Sequence, residues 1–150
     1  MTVKQKLADL GLQLPEPPEP RGEYVPVVVH ENVAYVSGQV SREGSGVISG
    51  PVSGDTEAEL VSRAAEACVL RTLSALEHSV GLEKVDRLLF LRGYVHAEEE
   101  YHQYSKVVDA ASLLLLKLFG TKGQHGRLAV GVAGLPGGGM LEIEVTAALV

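Results

Sequence analysis

Arg127 is the sharpest chemical feature of this chain. It stands in GRLAVGV, the only cation of the final stretch from Gln124 to Val150, with Ala129 and Gly131 on the same side of a period-two pattern. A guanidinium flanked by small side chains can grip a carboxylate through two parallel N–H donors. The same arginine can equally serve an ion pair with Glu142 or Glu144 that only stabilises a sheet, and the residues alone leave both readings open. Ser37-Gly38-Gln39 closes an apolar run, and its glycine suits either close approach of a ligand or a bulge. Five histidines are present, His30, His78, His96, His102 and His125, yet none forms HxH or HExxH, so no metal site is expected. Cys68 has no activating neighbour in sequence and reads as a small buried hydrophobe rather than a nucleophile. No GxSxG elbow and no Gly-Lys-Ser/Thr phosphate loop occurs.

These groups need elements to position them. Leu128, Val130 and Val132 alternate in one run, and Leu141, Ile143 and Val145 in the next, with Leu-Pro-Gly-Gly-Gly between. That pattern predicts a β-hairpin whose aliphatic face meets a core and whose other face carries Arg127, Glu142 and Glu144. If Leu135 pairs with Met140, Arg127 and Glu142 lie about 20 Å apart at about 3.3 Å per residue, and meet only across a subunit boundary.

Earlier in the chain, Val3 to Leu10 predicts a short helix stopped by Gly11, followed by an extended arm at PEPPEP, Pro15 to Pro20. Tyr24–His30 and Val33–Val40 predict a first hairpin turning at Glu31-Asn32, and Val47-Ile48 a short further strand. Glu57–Ser79 reads as a long helix ended by Gly81, and Val85–His96 as a central strand, apolar on both faces. Tyr104–Phe119 reads as a second long helix ended by Gly120. The order β-β-(β)-α-β-α-β-β predicts an α+β fold: one mixed sheet with both long helices on one face and the other face left for a partner subunit. Residues 1–23 form a helix and arm, and 24–150 one domain.

The chain has 150 residues and a net charge of −6, from 19 acidic and 13 basic residues. No Lys/Arg block is visible in sequence, which counts against binding a nucleic-acid backbone. No apolar run is long enough to span a bilayer, and no signal peptide is recognisable, so a cytoplasmic protein without a membrane partner is expected.

The chain resembles the YjgF/RidA family of reactive-intermediate deaminases, also labelled L-PSP endoribonucleases. The resemblance rests on Gly22-Glu23-Tyr24-Val25, Tyr35-Val36-Ser37-Gly38-Gln39, Gly126 to Val132, Leu135-Pro136 and Glu142-Ile143-Glu144. It implies a chorismate-mutase-like fold and a homotrimer with ligand clefts between subunits. It implies hydrolysis of 2-imino or 2-amino-enoic acids to 2-keto acids and ammonia, with no metal or organic cofactor. By the same resemblance Arg127 clamps the substrate carboxylate and Glu142 positions or activates water. Tyr24, Ser37, Gly38 and Tyr94 would line the pocket, and Ala129 stands where the best-known branch has cysteine. His125 could face the same cleft as an acid/base group. A trimer that binds small carboxylates or regulates a partner without catalysis is the alternative, and an endoribonuclease is disfavoured by the charge.

Overall fold

The computed structural model describes residues 1–150. Strands β1 (Val27–His30) and β2 (Val33–Val40) form the first hairpin, and β3 (Arg42–Glu43) and β4 (Gly46–Val47) a small ribbon. Helix α1 is Val3–Asp9, α2 is Ala58–Ser79 and α3 is Tyr104–Phe119. Strands β5 (Val85–His96), β6 (Gly126–Val132) and β7 (Leu141–Leu149) complete a five-stranded mixed sheet of order β1-β2-β7-β5-β6. The bounds of β5 and α3 coincide with those read from the sequence. The reason is local: Gly81 (φ 89°) and Gly120 (φ 61°) adopt a backbone that ends a helix at little cost. Glu31 and Asn32, both with positive φ, make the tight turn of the first hairpin.

The final hairpin does not form. Strand β6 runs parallel to β5, while β7 pairs antiparallel with β2 on one side and β5 on the other. Alternation identifies a strand and its two faces, but not its neighbour. Helix α3 carries the chain over the sheet and delivers β6 to the outer edge of β5. Strand β7 then fills the slot between β2 and β5, where Leu141, Ile143, Val145 and Ala147 are at most 2% exposed. The Leu135–Met140 register therefore fails as well: Glu142 lies opposite Tyr94 and Val40 rather than Ala133.

The faces of β6 are also the reverse of those expected. Arg127, Ala129 and Gly131 lie level with Leu91, Gly93 and Val95, which face the helices. The small residues there admit α3, not a ligand. A Cβ on Gly93 would come 2.5 Å from Val108 Cγ2, and one on Gly131 would come 2.3 Å from Tyr104 Cζ. Leu128, Val130 and Val132 look out on the open face instead.

Both long helices cover one face, as the element order requires. One core of buried side chains joins that face to α2 and α3, and Leu7 of α1 reaches into it. The other face is open. Val28, Tyr35 and Leu128 are each more than two-fifths exposed on it, and Phe90 lies under the Arg92 guanidinium at 4.6 Å. No helix is long and apolar enough to cross a membrane.

Candidate functional site

A cleft of about 200 Å³ opens where β1 ends and leaves the far half of β2 without an outer neighbour. Tyr24, Gly38, Gln39, Arg42, Arg71 and Glu142 line it, and the proline arm from Pro18 to Arg21 forms its outer wall. The register of β2 against β7 slips between Val36 and Gln39: three steps on β2 match two on β7. This is a bulge at Ser37-Gly38, and it re-aims the residues that follow. Ser37 donates its hydroxyl to the Val25 carbonyl at 2.7 Å and its N–H to Pro26 at 2.8 Å. Those bonds pin the segment that carries Tyr24 against the cleft.

Gly38 has a definite steric role. A Cβ at this position would stand 2.3 Å from Glu142 Oε2. Glu142 therefore lies across the glycine, half-buried, and no hydrogen bond or ion pair within the chain reaches its carboxylate. Burial holds its pKa above the usual carboxylate value. The neighbouring Glu144 charge adds to the rise, and Arg42 opposes it. Glu144, two residues on, has partners at Oε1: Tyr94 donates its hydroxyl at 2.9 Å and Arg92 stands 3.8 Å away. That bond to Glu144 is the main reason the Tyr94 phenol is pushed above its ordinary value.

Gln39 is only 5% exposed. Its amide donates to the Ser37 carbonyl at 3.3 Å, and its Oε1 accepts from Arg71 Nε at 3.2 Å. Arg71 thus reaches the cleft from α2 already oriented. Burial, reinforced by Arg42 and Arg21, pushes its guanidinium below its ordinary value.

Arg127 lies elsewhere. It sits on the edge strand β6, faces α3, and has a side chain 21% exposed. It pairs with Asp109 at 2.6 Å and donates to Ser112 Oγ at 3.1 Å and to Ser105. Ser112 Oγ also contacts His125 Nε2 at 2.9 Å, so His125 belongs to the Arg127 cluster and not to the Glu142 cleft. Ala129 faces the same way and packs against the core. Within one chain Arg127 and Glu142 are therefore on opposite faces of the sheet. The expectation that they do not meet in one chain holds, though for a different reason than the assumed register.

The structure thus brings Tyr24, Gly38 and Glu142 to one cleft, sets Ser37 and Tyr94 beside it, and places Arg127 and Ala129 apart. Sequence reasoning missed Arg42 and Arg71. Arg71 carried one signal: it falls three residues after Cys68, on the flank of an otherwise apolar helical stripe. Cys68 itself is fully buried, donates to the Leu141 carbonyl at 3.4 Å, and burial drives its thiol upward, so it is no nucleophile.

The profile of the family described as Endoribonuclease L-PSP matches residues 15–149. Protein TCP17 of Trypanosoma cruzi is 33% identical over 145 residues, spanning 95% of this chain and 91% of its own. The crystal structure of Atu1372, a protein of unknown function from Agrobacterium tumefaciens, is 31% identical with a TM-score of 0.90, over 99% of this chain and 94% of the other. The E. coli TdcF structure with bound serine has the same fold at 22% identity and a TM-score of 0.62, over 90% of this chain and 94% of the other.

Proposed function

The chain belongs to the Endoribonuclease L-PSP family, the YjgF/RidA proteins, and from that membership we propose that it hydrolyses reactive 2-imino and enamine carboxylic acids to 2-keto acids and ammonia. The observation that carries this reading is Glu142: an unpartnered, half-buried carboxylate whose pKa is raised, set in a cleft with cations. Such a group exchanges protons nearer neutrality than an ordinary glutamate. Protonated, it delivers a proton to the enamine carbon and yields the iminium. Ionised, it takes a proton from water as the water oxygen bonds to the C=N carbon and the nitrogen becomes a neutral amine. Glu142 then gives that proton to the amine nitrogen and takes the hydroxyl proton, so ammonia leaves, the keto acid remains and the carboxyl is protonated again. An imine carbon is already electrophilic, so positioning and one acid/base group supply most of the help needed.

Arg127 supplies the carboxylate clamp in this proposal. Its placement on the face opposite Glu142 means that the two act on one substrate only if they come from neighbouring subunits. A homotrimer with inward-facing sheets, the assembly that the family resemblance implies, provides that neighbour. The apolar residues of the open sheet face support it, because leaving Val28, Tyr35 and Leu128 exposed to water is costly in a free chain.

A second reading has its own support. Arg127 is already engaged by Asp109, and TdcF holds serine, a small carboxylate. A trimer that binds such ligands without turnover follows from those two facts. The experiment that separates the readings generates 2-aminoacrylate in situ with a dehydratase and follows keto-acid release. Acceleration by the wild type that falls about a hundredfold or more in Glu142→Gln and Arg127→Ala supports the enzyme. A release rate equal to buffer, from folded protein, transfers the reading to the binder.

A further inference from the structure

The Glu142 cleft holds more positive charge than a single substrate carboxylate requires. Arg71 comes from α2, Arg42 from β3 and Arg21 from the proline arm. They are 21 or more residues apart in sequence and converge only in the fold. None of the molecule's ion pairs uses them. The single side-chain bond among them is Arg71 Nε to Gln39, which leaves the two terminal nitrogens of Arg71 free. Glu19 and Glu142 line the same cleft, so the arginines outnumber the acids there in a chain whose net charge is −6.

Holding like charges together in a half-buried cleft costs folding free energy. Arg71 is held below its ordinary value chiefly by burial and, after that, by the neighbouring Arg42 charge. Gln39, itself buried, spends its amide on keeping Arg71 aimed rather than on neutralising it. A guanidinium fixed at Nε with its fork open is prepared for a bidentate anion.

We propose that Arg71 and Arg42, with Arg21 on the arm, hold the distal anionic group of the substrate, so that the cleft selects 2-imino dicarboxylates over imino acids with small neutral side chains. Glu142 then stands at the reacting end and the arginines at the far end. The assignment of the reacting end rests on the deaminase reading. The anion subsite does not.

The test therefore has a binding arm and a kinetic arm. In the binding arm, thermal stabilisation by succinate, acetate and inorganic phosphate is measured for the wild type, Arg71→Ala and Arg42→Ala, with each variant's ligand-free melting temperature as the folding control. Succinate is expected to stabilise the wild type at concentrations where acetate does not, and both variants are expected to lose that preference. Equal stabilisation by succinate and acetate, or a preference that survives both substitutions, overturns the subsite. Stabilisation by phosphate but not succinate, lost in Arg71→Ala, overturns the dicarboxylate assignment in favour of a phosphorylated ligand. In the kinetic arm, imino acids made by amino-acid oxidases from glutamate and from alanine are compared. The kcat/KM preference for the dicarboxylate is expected to fall about tenfold to a hundredfold in Arg71→Ala, mainly through KM, as one charge-assisted bidentate contact is lost. No turnover of either substrate with the succinate preference intact sinks the deaminase reading and leaves the subsite standing. Turnover whose preference is unmoved by Arg71→Ala sinks the subsite alone.

Discussion

Glu142 and Glu144 are two residues apart on one face of β7, and their surroundings drive them to different roles. Glu144 accepts a hydrogen bond from a phenol and pairs with a guanidinium, whereas Glu142 makes no hydrogen bond or ion pair and feels Arg42 only as a nearby charge. Because its pKa is raised on folding, Glu142 binds its proton more tightly folded than unfolded. The stability this gives is fully present below the ordinary carboxyl value of about 4.3 and is lost as pH rises through the raised value. Glu142→Gln should therefore melt higher than the wild type at neutral pH, with the advantage vanishing in acid. A lower melting temperature for the variant at pH 7 would mean that the carboxylate is engaged by a partner in the folded protein. Gaining stability while losing turnover is the usual sign of a group kept for function. Glu142 was legible in the sequence through its EIE context. Arg71 and Arg42 were not, because convergence of distant cations is a property of the fold. The PEPPEP segment reads in sequence only as an extended arm, yet it walls the cleft and contributes Glu19 near its end, with Arg21 just beyond.

At the level of elements, the bulge in β2 and the strand β7 have to agree. The bulge exposes Gly38, and the missing side chain is the space that Glu142 occupies. Gly38→Ala should push the carboxylate aside. The obstructing atom is the end of a flexible side chain, so the melting temperature should move little while turnover falls about tenfold or more, given how steeply rate depends on placement of a reacting group. A large loss of stability with full activity per folded molecule would show that the glycine serves the backbone rather than Glu142. The helices and β5 were readable because hydrophobic period and glycine stops are local signals. The β6–β7 pairing was misread because strand order depends on α3, whose crossover sets β6 parallel to β5 and leaves the slot for β7. The faces of β6 were misread for a related cause. Its small residues mark the close approach of α3, while its larger aliphatics look toward the open face.

For the whole molecule the sharpest test is mixing. If each active site takes Arg127 from one subunit and Glu142 from its neighbour, Arg127→Ala and Glu142→Gln chains are each inactive alone. Unfolded, mixed in equal amounts and refolded, they should regain about a quarter of wild-type activity, since one interface in four then unites both intact residues in a closed ring. No recovery, from material confirmed as mixed oligomers, would end the shared-site reading. The order of the strands has a further consequence, for biogenesis. Strand β7 follows every other strand along the chain, yet it lies at the centre of the sheet, hydrogen-bonded on both edges. As the polypeptide emerges from the ribosome, β2 and β5 are complete long before the strand that joins them. For that interval the nascent sheet is two separate pieces, β1-β2 and β5-β6, each with a bare inner edge ready to pair with a stranger. Closure comes as a late, long-range step, and the cleft with it, because Glu142 arrives on the strand that closes the sheet.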